Sequence, residues 1–147
     1  MQKLPKLAKW SLFWTIFIGL GAVAGALMMW LMPAWFGEPM LVPLRRLPLG
    51  HLIGTSYALP GLALLCAIGL PHLIAAWLIH KRHLAGPVIA LTAGLILLAW
   101  LALQLFYLFG PNPITNIYTA FALIETTIAA LWLRSNRRAT SAAETYV

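Results

Sequence analysis

The chain has 147 residues, 62% hydrophobic and 9% charged, with a formal net charge of +7. So few charges cannot cover the surface of a soluble domain. Outside four long apolar runs, no segment is long enough to form a core of its own.

The runs are Trp10–Met32, Ile53–Ile79, Pro87–Phe109 and Ile114–Leu133. Each reaches the ~20 residues that a helix needs to cross ~30 Å of hydrocarbon. The sequence therefore predicts an all-α integral membrane bundle of four transmembrane helices, in one domain over 1–147.

Lys3, Lys6 and Lys9 precede the first run. A basic start, an apolar run and then Ala22-Val23-Ala24 imitate a cleavable signal. The run continues to Met32, too long for a signal core, so a retained helix is expected. Ser11, Thr15, Gly19, Ala22 and Ala26 fall at steps of four, four, three and four, which makes one face of small residues. Gly21 and Gly25 form a G-x-x-x-G beside it. Small faces let membrane helices approach closely. Packing within the chain is the simpler expectation, and a homo-oligomer contact is the alternative.

The segment after the first run carries Pro33, Pro39, Pro43 and Pro48 among Trp35, Phe36, Met40, Leu41, Val42 and Leu44. Prolines prevent a long helix, yet an apolar segment has no reason to stay in water. It is expected to lie along the membrane interface or fold over the mouth of the bundle, with Trp35 in the aromatic belt.

The second run holds Pro60-Gly61, Cys66 and Gly69-Leu70-Pro71-His72. Each proline removes a backbone donor, so this helix is the one expected to kink. Cys66 is the single cysteine; it builds no disulfide and is expected to pack as a small hydrophobe. His80-Lys81-Arg82-His83 and then Gly86-Pro87 join this run to the third, with Pro87 suited to a first helical turn. Gly110-Pro111-Asn112-Pro113 is a dense turn signal before the fourth. Short links make sequential helices antiparallel neighbours. Residues 139–147 are polar and are expected to be disordered.

Four crossings place Lys3, Lys6, Lys9, Lys81, Arg82, Arg134, Arg137 and Arg138 on one side, and only Arg45 and Arg46, beside Glu38, on the other. This split predicts cytoplasmic N- and C-termini in a plasma, or bacterial inner, membrane. The positive charge is accounted for by topology and by anionic lipid headgroups at that face. Nucleic acid is not an expected partner.

Glu125 is the one acid inside a span. Ionisable groups at membrane depth are costly and raise a functional hypothesis by default. Its helical face carries Tyr118, Phe121, Ala122, Ala129 and Trp132, and the alanines imply helix packing. His72 is its natural partner. Both helices run in the same direction, and the two residues differ in depth by about 1.5 Å. A structural pair and a proton- or ligand-handling pair both remain open.

Nearer the outer end, Trp100, Gln104 and Tyr107 share a face, at the depth of Tyr57, Asn112, Asn116 and Tyr118. They read either as an interfacial girdle or as a polar vestibule.

Other chemistries lack their residues. There is no aspartate, and Glu38 and Glu144 lie outside the spans, so neither a Ser/His/Asp set nor paired carboxylates can form. His72 alone is deep, which excludes a two-histidine haem site. H-E-x-x-H, C-x-x-C and P-loop patterns are missing. No cofactor or metal is expected.

The proline-broken apolar segment after the first run, the stretch Ala58-Leu59-Pro60-Gly61-Leu62-Ala63-Leu64-Leu65, and Gly69 eight residues after Gly61 resemble the small four-helix bacterial membrane proteins of the DoxX-like kind. The resemblance implies a compact bundle and a place in a larger membrane complex. It carries over no catalytic residue. Two functions are therefore weighed: a non-enzymatic subunit or accessory protein of a membrane assembly, or a small proton-coupled transporter using Glu125 with His72.

Overall fold

The computed structural model describes residues 4–46, 50–52, 56–108 and 113–144. Lys3, Pro48, the residues Gly110-Pro111-Asn112 of the expected turn, and residues 145–147 lie outside the described residues, as do the side chains of Glu38, Tyr107 and 137–144. The described chain is helical, with no strand among these residues. Helix α1 spans Lys6–Leu31, and a 3-10 turn at Pro33–Trp35 leads to α2, Gly37–Leu44. A second 3-10 turn, Gly50–Leu52, precedes α3, Ala58–Leu64. A π turn, Leu65–Gly69, connects α3 to α4, Leu70–His80. Helix α5 is Gly86–Leu103 and ends in a second π turn, Gln104–Leu108; α6 is Pro113–Glu144.

Four continuous helical stretches are long and apolar enough to cross a membrane: Lys6–Leu31, Ala58–His80, Gly86–Phe106 and Pro113–Asn136. Their outward surface is apolar: Phe13, Phe17, Leu20, Ile74, Trp77, Leu95, Ile124 and Leu131 are all exposed. In water such a surface would be untenable; in lipid it is the solvated face. The protein is thus a four-helix bundle of membrane-spanning type.

The small face of α1 packs inside the chain. Ala8, Ser11, Thr15, Ile18, Gly19, Ala22 and Ala26 are buried. A Cβ on Gly19 would stand 3.2 Å from the Cβ of His72 and 3.1 Å from Leu73 Cδ2, so the glycine sets how closely α1 approaches α4. Gly94 plays the same part between α5 and α6, where a Cβ would meet Thr126 Oγ1 at 2.6 Å.

At one end Ala8, Ala75, Ile79, Ala90, Ala129 and Trp132 form a buried cluster. It gathers the start of α1, the end of α4, the start of α5 and the lower part of α6, and hence Lys6, Lys9, Lys81 and Arg134. We call this the basic end. Midway, Ile18, Ala22, Ile68, Leu97, Leu101 and Ala122 form the central core.

At the opposite end the proline-containing segment packs back against the bundle. Leu41 and Leu44 of α2 are buried with Tyr57, backed by Met29, Phe36 and Met40. Tyr57 donates its hydroxyl proton to the Gly37 carbonyl at 2.5 Å. Trp30 Nε1 donates to the Ala58 carbonyl at 3.1 Å. Gly61 lies directly beneath that indole, where a Cβ would come within 2.4 Å of Nε1. Leu41 and Leu44 thus fold back onto the bundle as a cap, while Trp35 and Val42 stay on the surface, so each of the two expected placements describes part of the segment.

Three local expectations are revised. Pro60 does not break a helix: α3 begins at Ala58, so the proline falls in the first turn, where its missing N–H has no intrahelical role. Pro71 does interrupt its helix, and the interruption takes the form of a π turn. The Leu70 N–H reaches back five residues to the Leu65 carbonyl, absorbing the register change ahead of the residue that cannot donate. Cys66, within this turn, is exposed on the outer surface and does not pack in the core. Helix α6 also continues to Glu144 where a disordered tail was expected over 139–147. Ala142, Ala143 and Glu144 are strong helix formers, and the helix already in place needs no new nucleus to include them.

Candidate functional site

The central polar feature is built by α4 and α6. The turn before α4 and the alanine face of α6 bring His72 and Glu125 together. His72 Nε2 and Glu125 Oε2 are 3.1 Å apart, and both side chains are fully buried. The other ring nitrogen, Nδ1, lies 2.7 Å from the Ile68 carbonyl. A carbonyl only accepts, so Nδ1 carries a hydrogen. The contact between Nε2 and Oε2 then holds one proton, drawn either as neutral imidazole with a protonated carboxyl or as imidazolium with carboxylate. In both forms the pair is neutral overall, which is the arrangement a low-dielectric interior tolerates.

Closely packed small residues seal the pair. Gly19 backs His72, while Ala122 and Ala129, one turn to either side of Glu125, are wholly buried. Thr15 lies four residues before Gly19 on the same α1 face and donates its hydroxyl proton to the Ser11 carbonyl. Among the described residues, the second carboxyl oxygen, Glu125 Oε1, is buried without a hydrogen-bond partner, as are Ser11 Oγ, Thr126 Oγ1 and Trp132 Nε1. No group of three or more metal-ligating side chains occurs among the described residues.

Gln104 is elsewhere. It sits in the π turn that ends α5 and is half-buried on the wall of a second feature, a cavity of about 210 Å³. Thr115 and Tyr118 of α6 share this wall with Trp100. The cavity lies in the half of the bundle away from the basic end. Its inner side includes Ile68, the residue whose carbonyl holds His72. His72 and Glu125 do not line it. Of the outer polar set, Tyr57 belongs to the cap and Asn116 is exposed on the surface of α6. The girdle and vestibule readings therefore each describe part of that set.

The G-x-x-x-G residues differ from the small face beside them. Gly25 is half-buried against Leu64, whereas a Cβ on Gly21 would meet nothing within 4 Å. Both glycines line the cavity. Sequence periodicity identified the face but could not show that it borders empty space.

No family model, curated protein or solved structure matches this chain.

Proposed function

We propose that this protein is a small non-enzymatic polytopic subunit or accessory protein of a bacterial inner-membrane assembly, with both termini in the cytoplasm. The observation that carries the reading is the burial of the Glu125–His72 pair: two fully buried side chains, bonded to each other, with His72 held by the Ile68 carbonyl, and neither of them lining the cavity beside Gln104. A carboxyl that must exchange protons with both sides needs a water-reachable surface. A carboxyl that pins two helices together does not. The short connections, the glycine contacts and the resemblance in layout to DoxX-like proteins support the same reading. The eight-to-two division of basic residues supports the orientation.

The test is purification in mild detergent from cells producing the protein at native level. A stoichiometric partner, or migration well above the 16.2 kDa chain with its detergent, is expected. An alkaline phosphatase fused after Arg138 should be inactive; an active fusion would reverse the orientation.

A proton-coupled transporter is the second reading, favoured by the unpartnered Glu125 Oε1. A protein that purifies alone and drives a proton-linked flux in vesicles, lost in a folded Glu125→Gln variant, would replace the first reading with this one.

A further inference from the structure

We infer that the cavity behind Gly21 and Gly25 is a binding site for an uncharged membrane amphiphile, entered sideways from the bilayer between α1 and α6. Of the residues lining it, Gly21 on α1 and Ile114 and Tyr118 on α6 are exposed, whereas Ile68, Leu97 and Leu101 behind them are buried. The opening is therefore the seam between the first and last spans. Toward the basic end the same seam is shut by rings: Phe121 lies 5.3 Å from Trp14 and 5.6 Å from Phe17 between centroids. The absence of a side chain at Gly21 keeps the entrance open, since a Cβ there would touch nothing.

The size selects the occupant. A volume of about 210 Å³ corresponds to roughly seven waters at ~30 Å³ each, and a methylene group is of similar bulk. One short length of apolar chain fits.

The polar end is also specified. Gln104 opens the π turn Gln104–Leu108 that ends α5, toward the end of its span away from the basic residues. Its amide makes no hydrogen bond to a described residue, and a π turn, a distortion often found at functional sites, presents it to the cavity. Among the described residues, no charged side chain lines the space. The site thus provides an apolar slot with a neutral donor and acceptor at its outer end, matched to the head-end length of an alkyl chain that carries a hydroxyl or carbonyl group, the rest of the chain staying in the bilayer.

The probe is a long-chain alcohol carrying a diazirine midway along its chain, added to vesicles containing the intact protein and photolysed. Labelling of Ile68, Leu97 or Leu101 is expected, falling at least tenfold in Gly21→Leu, while labelling of lipid-facing Leu95 and Ile96 stays unchanged. Excess dodecanol should displace the label from the wild-type cavity walls, an arm that requires no variant. A phospholipid with the same diazirine should label these walls less than the alcohol does. Cavity-wall labelling no higher than at Leu95, insensitivity to dodecanol, or equal labelling by the phospholipid would overturn the proposal. So would a wild-type dimer that Gly21→Leu dissociates with no label inside.

Discussion

Replacing Glu125 by leucine isolates the contribution of the buried pair. With Nδ1 committed to the Ile68 carbonyl, His72 Nε2 becomes a buried lone pair facing hydrocarbon. Leaving a buried acceptor unsatisfied costs ~1–3 kcal/mol, whereas side-chain hydrogen bonds between membrane helices average ~0.6 kcal/mol because the unfolded segments also find partners. Full burial favours the upper part of this range. Against it, the leucine removes Oε1, which is already unpartnered. The net expectation is a loss of about 1–2 kcal/mol. Glutamine retains a donor for Nε2 and should stay within ~0.5 kcal/mol of the wild type. Reversible unfolding in mixed micelles, driven by SDS and followed through the seven tryptophans, measures both. Adding His72→Leu to Glu125→Leu removes both partners, so the double variant should lose ~1 kcal/mol less than the sum of the singles. A leucine variant as stable as the wild type, or a glutamine variant that falls equally far, would refute the structural role.

The glycines make a contrasting pair. Gly94→Ala drives a Cβ to 2.6 Å from Thr126 Oγ1 and 3.4 Å from the Thr126 Cα, so α5 and α6 must separate; ~1–3 kcal/mol of destabilisation is expected in the same unfolding assay. Gly21→Ala enters open space and should be neutral or gain up to ~1 kcal/mol from helix propensity. The cap should resist trypsin at Arg45 and Arg46 although both are exposed, because their backbone N–H groups are held by Leu41 and Pro43 carbonyls at 3.0 and 3.1 Å. Rapid cleavage there in the folded protein would contradict an ordered cap. Tyr57→Phe, which deletes the bond to the Gly37 carbonyl, should cost ~1 kcal/mol and speed that cleavage by roughly fivefold.

Much of this molecule is legible in its sequence because hydrocarbon is a strict solvent. Only helices satisfy their own backbone there, so apolar length alone gave four spans, and short links fixed their alternation. The apolar proline-rich segment could be read as lying on the interface or over the bundle mouth, because its residues have no reason to stay in water; which of them turn inward, Leu41 and Leu44, came only from the structure. Depth was legible too: a constant rise per residue placed Glu125 and His72 level with each other. Rotation about the helix axes was not. It depends on which small residues of neighbouring helices interlock, and only the tertiary structure turned Glu125 onto His72, Gly19 toward Leu73 and Gly21 toward empty space. Local hydrogen bonding also escaped the sequence reading. A proline at position 60 or 71 looks alike in the sequence, but one fell in a first turn, where no intrahelical donor is needed, and the other follows five residues of π turn within a continuous helical stretch. The cavity is the clearest case of tertiary control. A glycine pair marks a surface that can pack closely, and whether another helix fills that surface depends on the positions of all four spans.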